Sequence, residues 1–150
     1  MIRPVTRGDT TALKNVITSV GLFPPDLLDG MLAEYLDGSV DHRWITDDPG
    51  VPIGVAYFAP ERMTSGTWNL YLIAVHAECQ TQGRGAAMVR FVEEALIAIG
   101  ARVLLIETSS LASFERTRAF YRQCGYDEEA RIRDFYQAGE DKIVFRKALA

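Results

Sequence analysis

Three groups of residues have types and spacings that could do chemistry. The first is the loop Gln80-Thr81-Gln82-Gly83-Arg84-Gly85-Ala86, set between the apolar run Leu70–Val75 and a helical pattern. A helix start leaves its first backbone N–H groups unpaired and carries a partial positive charge, so this loop suits an anion. Glycines let a ligand approach the backbone, and Arg84 adds a cation for a charge-assisted contact. A plain turn and cap is the other use for such glycines. The second is Tyr121, whose phenol is protonated at neutral pH (reference pKa ~10) and can donate a proton, or can simply pack beside Phe120. The third is carboxylate chemistry. Glu107, at the end of a strand, can take a proton directly or through water, or can cap the 109–113 loop or pair with an arginine. Asn69 and Tyr71 are candidates to position a substrate or a relay water, and Glu61 is a weaker acid candidate. His42 and His76 are lone histidines with no partner acid at motif spacing. The two cysteines, Cys79 and Cys124, lack metal-ligand spacing, and Cys124 is off the nucleophile pattern, so neither a metal nor a covalent nucleophile is expected.

The elements that must position these groups follow from periodicity. Ile2–Val5 reads as a short strand. Asp9 or Thr10 caps a helix carrying Leu13, Val16, Ile17 and Val20, which Gly21 stops. Pro24-Pro25-Asp26 opens a second helix with Leu27, Leu28, Met31, Leu32, Tyr35 and Leu36 on one face, closed by Gly38. The period then shifts to strands over 42–46, 52–59 and 67–75, with a turn at Asp47-Asp48-Pro49-Gly50. Gly85–Ile99 is a helix with Met88, Val89, Val92, Ala95, Leu96 and Ile99 sharing a face. Arg102–Thr108 is an apolar central strand, parallel to 67–75 because a helix connects them. A last helix runs from Phe114 to Cys124, and strands over 127–133 and 142–147 join around Gln137–Asp141. The order β, α, α, three strands, α, β, α, two strands gives a mixed α/β sheet.

The glycine loop is not a dinucleotide fingerprint. There the first glycine follows its strand almost directly, whereas seven residues separate Val75 from Gly83, and the third glycine position is held by Met88. No Gly-Lys-Ser/Thr follows either, so the phosphate-loop pattern fails. The spacing Gln80-x-x-Gly83-x-Gly85-Ala86 instead resembles the acyl-CoA-binding motif of the GNAT superfamily of N-acetyltransferases. Downstream, Ala119-Phe120-Tyr121-Arg122-Gln123-Cys124-Gly125-Tyr126 is similar to that family's Phe-Tyr-x-x-x-Gly-Phe/Tyr segment. The specific matches lie between about residues 73 and 126.

The resemblance implies a mostly antiparallel central sheet with a splayed parallel pair in its middle, flanked by about four helices. It implies acetyl-CoA as co-substrate, with its pyrophosphate on the loop from Gln80 to Ala86 and its pantetheine amides on the backbone of Ile73, Ala74 and Val75. Tyr121 matches the family's general-acid tyrosine, and an N–H near Val75 would serve the developing oxyanion. The family's asparagine and alanine, seven and four residues before that tyrosine, are Phe114 and Thr117 here. Ser110 or Ser113 is left to replace the asparagine contact.

Composition bounds the rest. The 150 residues carry 16 basic and 20 acidic side chains, a net charge of −4, which gives no electrostatic case for a nucleic-acid partner. No apolar run approaches the ~20 residues of a membrane span, and the N-terminus lacks a signal-peptide core. The expectation is a single cytoplasmic domain over 1–150, moving an acetyl group from acetyl-CoA directly to a primary amine. The acceptor is a small molecule or peptide that the sequence does not name. A homodimer fits the family, in which dimers are common, and a non-catalytic acyl-CoA-binding module on the same fold is the alternative. Phe23, Trp44, Tyr57 and Tyr136 are candidate pocket walls, though core packing is the plainer role. The acidic turn Gly139-Glu140-Asp141 could attract a cationic amine or be simply solvated.

Overall fold

A computed structural model describes residues 1–149. The strands are β1 (Ile2–Pro4), β2 (Arg43–Asp47), β3 (Gly54–Pro60), β4 (Thr67–Val75), β5 (Val103–Ser109), β6 (Asp127–Gln137) and β7 (Glu140–Ala148). The α-helices are α1 (Thr10–Val20), α2 (Leu28–Asp37), α3 (Arg84–Ala98) and α4 (Glu115–Gln123). The strands form one seven-stranded mixed sheet in the order β1-β2-β3-β4-β5-β7-β6. β4 and β5 pair in parallel, Thr67–Leu70 against Val103–Ile106, while β1–β2, β2–β3, β5–β7 and β6–β7 are antiparallel. The chain resolves into two compact units: Met1–Ala59 with Tyr71–Val92, and Pro60–Leu70 with the residues from Glu93 onward. No helix among the described residues is long and apolar enough to cross a membrane.

In the first unit α1 and α2 cover the sheet with Leu13, Val16, Ile17, Leu28 and Leu32, packed with Val5, Trp44, Val55 and Ala74 in one buried cluster. The expected apolar face of α2 is narrower than its sequence suggests, because Leu27 and Met31 are exposed. Leu27 belongs to the 3₁₀ turn Pro25–Leu27, whose pitch takes it off the helix face. The N-terminus is tied by charge. Arg3 donates to both oxygens of Asp9 at 2.8 Å and to Asp48 at 2.8 Å. Those bonds draw the Asp9 carboxyl down to about 2 against the cost of its burial.

In the second unit β5 is flanked by β7, and Leu104, Ile106, Ile143 and Phe145 are buried. Ile99, expected on the buried face of α3, is half-exposed because the helix ends at Ala98 and the chain turns at Gly100. A buried polar group organises this unit: the Tyr126 hydroxyl donates to Glu93 Oε2 at 2.6 Å, and Lys147 Nζ donates to both Glu93 oxygens at 3.1 Å and to the Cys124 carbonyl at 3.0 Å. Pairing makes the buried carboxylate tolerable.

The last hairpin is longer than its sequence pattern predicts. β6 runs on to Gln137, past the expected end at Arg133, and β7 begins at Glu140. Asp134 makes this possible by taking a left-handed conformation, φ 55°, in a register irregularity. Its N–H donates to Asp141 Oδ1 and its carboxylate accepts from the Gly139 N–H, so the kink is hydrogen-bonded and the strand continues through Phe135 and Tyr136.

Candidate functional site

The loop between β4 and α3 lies in the first unit and is shaped by its own side chains. His76 Nδ1 accepts from the Glu78 N–H at 3.1 Å, fixing the short 3₁₀ turn Ala77–Cys79. Gln80 folds back to donate from Nε2 to the Val75 carbonyl at 3.1 Å, which holds the loop against the strand end. Thr81 (φ 62°) and Gly83 (φ 77°) both take left-handed backbone, turning the chain into the helix. Ala87 N–H donates to Gly83 O at 3.1 Å and so closes the first helical turn. Among the described residues, the N–H groups from Thr81 to Ala86 donate to no carbonyl or side chain. A run of unpaired amides at a helix mouth is an anion cradle, with the helix dipole behind it.

Arg84 is held rather than loose. Its Nη1 lies 3.0 Å from Asp47 Oδ2 and its Nε donates to Gln82 Oε1 at 3.2 Å, with Asp47 buried. That pair offsets an arginine in a helix's first turn. Met88, where a dinucleotide fingerprint would have glycine, is fully buried against Gly54: a Cβ built there would sit 3.0 Å from the methionine sulfur. Ile73, Ala74 and Val75 form the end of β4, and only Ala74 of the three is buried.

The side chains with acid–base chemistry lie in the second unit. Tyr121, on α4, is 5% exposed, with its ring 5.4 Å from that of Phe120 and 5.6 Å from that of Phe145. Burial pushes its phenol well above the ordinary value, and the Cys124 thiol adds to the shift. Its hydroxyl makes no hydrogen bond among the described residues. Tyr126, the other tyrosine of the same motif, has its hydroxyl committed to Glu93. Of the two, only Tyr121 has a hydroxyl with no hydrogen-bond partner among the described residues.

Glu107 sits in a cluster. Its Oε2 accepts from Asn69 Nδ2 at 3.0 Å, its Oε1 lies 3.2 Å from Lys142 Nζ, and the same Asn69 Nδ2 donates to Glu61 Oε1 at 2.9 Å. The structure therefore brings together Glu107, Asn69 and Glu61, each a separate candidate in the sequence. It pairs Glu107 with a lysine, where an arginine or a loop cap was the expected structural use. Lys142 was missed because its position opposite Ser109 depends on a hairpin register that local pattern does not fix.

Arg118 was also missed. Its Nη1 donates to the carbonyls of Ser109 at 2.7 Å and Leu111 at 2.9 Å, fastening α4 to the end of β5 and so placing Tyr121. Ser110 Oγ, considered for the missing asparagine contact, accepts from the Asp141 N–H at 2.7 Å. The acidic turn is likewise engaged: Glu140 accepts from Ser109 at 2.6 Å and from Gln137 at 2.9 Å, and Asp141 pairs with Arg131. Among the candidate pocket walls, Trp44 is core and stacks on Tyr57 at 4.5 Å, while Tyr136 is half-exposed. His42 Nδ1 lies 3.4 Å from the Tyr57 hydroxyl.

The sequence model described as the acetyltransferase (GNAT) domain matches residues 40–128. Among solved structures, one from Desulfovibrio desulfuricans assigned to the GNAT family of acetyltransferases is 30% identical, with a TM-score of 0.93 over 100% of this chain and 99% of that one. An aminoglycoside 6'-N-acetyltransferase from Enterococcus faecium shares the fold at 13% identity, TM-score 0.83, over 100% of this chain and 97% of its own. An acetyltransferase structure from Salmonella typhimurium with its cofactor acetyl-CoA shares it at 17% identity, TM-score 0.77, over 100% and 94%. No curated protein sequence matches. With the family match spanning more than half its length and a 30% identical relative covering all of it, the chain belongs to the GNAT family of acetyltransferases.

Proposed function

We propose that this protein is an N-acetyltransferase that moves an acetyl group from acetyl-CoA directly to a primary amine. The observation that carries the reading is the run of unpaired N–H groups from Thr81 to Ala86 at the start of α3. It matches the chemistry of a pyrophosphate, and a structural neighbour holds acetyl-CoA as its cofactor. Acetyl-CoA supplies the activated acetyl group as a thioester. Gln80, Thr81, Gln82, Gly83, Arg84, Gly85 and Ala86 would hold its phosphates, with Ile73, Ala74 and Val75 offering backbone groups to its amides.

Tyr121 keeps its proton at Oη through the working pH range and gives it to the departing thiolate. Burial favours keeping the proton, because a neutral phenol is the stable form in an apolar surround, and the negative charge developing on the sulfur must drive the transfer. Glu107 takes the proton that the amine must lose. Its two oxygens are already engaged by Asn69 and Lys142, which stabilise the charged carboxylate and so lower its tendency to take a proton, although each oxygen keeps a second lone pair. That engagement is also what favours the second reading, an acyl-CoA-binding module without turnover.

The two readings separate in one measurement. Thiol release from acetyl-CoA, followed across a panel of primary amines, should rise with at least one amine above the rate without acceptor. Acetyl-CoA raising the melting temperature with no thiol release from any amine would leave the binding module. NAD or ATP stabilising the protein as well as acetyl-CoA does would overturn both.

A further inference from the structure

Within the second unit Lys142 is a largely buried cation. Its side chain is only 13% exposed, its Nζ lies 3.2 Å from Glu107 Oε1, and it stands 4.0 Å from the centre of the Phe135 ring. A carboxylate on one side and an aromatic face on the other is the arrangement that recognises an alkylammonium. Phe135 and Tyr136 are both about half-exposed, and Tyr136 feels the charges of Glu107 and Glu140, so the seat has an open aromatic margin. Asn69 holds the carboxylate from the strand side. Asn69 is fully buried and lends its Nδ2 hydrogens to Glu61 and Glu107, yet its Oδ1 has no hydrogen-bond partner. Asn69 therefore turns its donor end to the two carboxylates, and the Lys142 ammonium on Glu107 does not reach the acceptor end, so the amide serves the seat by orienting Glu107.

We propose that Lys142 is an internal ammonium occupying the acceptor's seat on Glu107, so that an acceptor binds there by exchanging one primary ammonium for another. This rests on Glu107 belonging to the acceptor half of an acetyltransferase site. Exchange is physically easy for lysine: its charge sits on a flexible four-carbon stem and is readily rehydrated. Lys142 is then a specificity-determining residue, because an acceptor binds only as well as it competes with that side chain. A carbonyl or hydroxyl compound of the same shape has no ammonium to exchange.

The test is calorimetric titration of the CoA-free protein with n-butylamine, with n-butanol as the uncharged control. Removing one positive charge a few ångströms from the seat should tighten n-butylamine binding about tenfold in Lys142→Met and leave n-butanol unchanged. In thiol-release kinetics the KM for n-butylamine should fall by a similar factor with kcat changing less. Unchanged or weaker amine binding overturns the proposal, as does a fall in kcat with KM constant, which would make Lys142 a strut for Glu107. Lys142→Gln should behave like Lys142→Met. In the wild type, saturating n-butylamine should shift the Lys142 ammonium resonance, and a resonance that stays put counts against the exchange without any variant. If no amine drives thiol release but Lys142→Met still binds n-butylamine more tightly, the seat stands and acetyl transfer falls. Thiol release with unaltered amine binding has the opposite meaning.

Discussion

The loop from Gln80 to Ala86 and the cluster around Glu107 are built by opposite means. The loop offers backbone: unpaired N–H groups from Thr81 to Ala86, arranged by two left-handed residues and closed by the Ala87 bond to Gly83. Its side chains mostly serve the loop itself, Gln80 holding the Val75 carbonyl and Arg84 held by Asp47. The cluster offers side chains, Glu61, Asn69, Glu107 and Lys142, drawn from a loop and three strands. A cradle of amides is indifferent to most substitutions but sensitive to backbone angle. A cluster of side chains is the reverse. The difference suits the roles proposed, since a pyrophosphate is the same in every reaction of this kind while the acceptor varies.

The largest expected effect sets the two apart. Tyr121→Phe keeps the ring that packs against Phe120 and Phe145 and removes only the hydroxyl. It should lower kcat by roughly a hundred- to ten-thousandfold. The rise in melting temperature caused by acetyl-CoA should stay as in the wild type. Equal turnover in the variant would remove Tyr121 from the mechanism and leave the proposed reaction without its acid.

A second prediction concerns the stability of the first unit. Arg3 lowers the Asp9 carboxyl from 3.8 to about 2. A carboxylate held lower in the folded state adds stability above its unfolded pKa and loses it as the pH falls through the folded one. Wild type should therefore exceed Asp9→Asn by about 2 kcal/mol near neutrality, a difference that shrinks between about pH 4 and 2. Urea unfolding at stepped pH measures it. A gap that persists at about pH 2 would show that the hydrogen-bond geometry, not the charge, is what stabilises.

The same contrast explains what was legible in the sequence. The cradle could be read because its residues are contiguous: a β-branched strand, a polar loop and a glycine pair before a helical period each leave a local mark. β4 is found at its predicted limits, Thr67–Val75, for that reason. The cluster could not be assembled, because Glu61, Asn69, Glu107 and Lys142 meet only through strand register. The Ser109–Lys142 register in turn depends on a hairpin kinked at Asp134, where φ 55° breaks the local pattern. Tyr121 was legible as a motif residue. What separates it from Tyr126, namely which hydroxyl Glu93 consumes, was not.

Breaking the cradle takes a backbone change. Gly83 stands at φ 77°, and a Cβ built there meets nothing within 4 Å, so the constraint is conformational and not steric. Gly83→Ala should strain the turn by about 1–2 kcal/mol and weaken acetyl-CoA roughly tenfold. Once acetyl-CoA is saturating, kcat should be close to that of the wild type. A variant with wild-type acetyl-CoA affinity would mean that the amides from Thr81 to Ala86 are not what holds the phosphates.

The smallest effect is a limb that should be missing from the pH–rate profile. Burial raises the Tyr121 phenol above its ordinary value of 10, so the donor form persists across the whole alkaline working range. Stability follows the same sign: it is unaffected below the unfolded value and declines only as the pH climbs above it, when the folded chain resists giving up the proton. The rate should therefore rise with pH as the acceptor loses its proton and then level off, with no fall assignable to Tyr121 up to about pH 9.5. A fall below that pH in the wild type, absent from the residual activity of Tyr121→Phe, would mean that the hydroxyl meets water in the working enzyme and is not sealed by Phe120 and Phe145. The contrast between a sealed acid and the proposed exchangeable ammonium on Glu107 would then narrow, because both groups would be open to exchange with their surroundings.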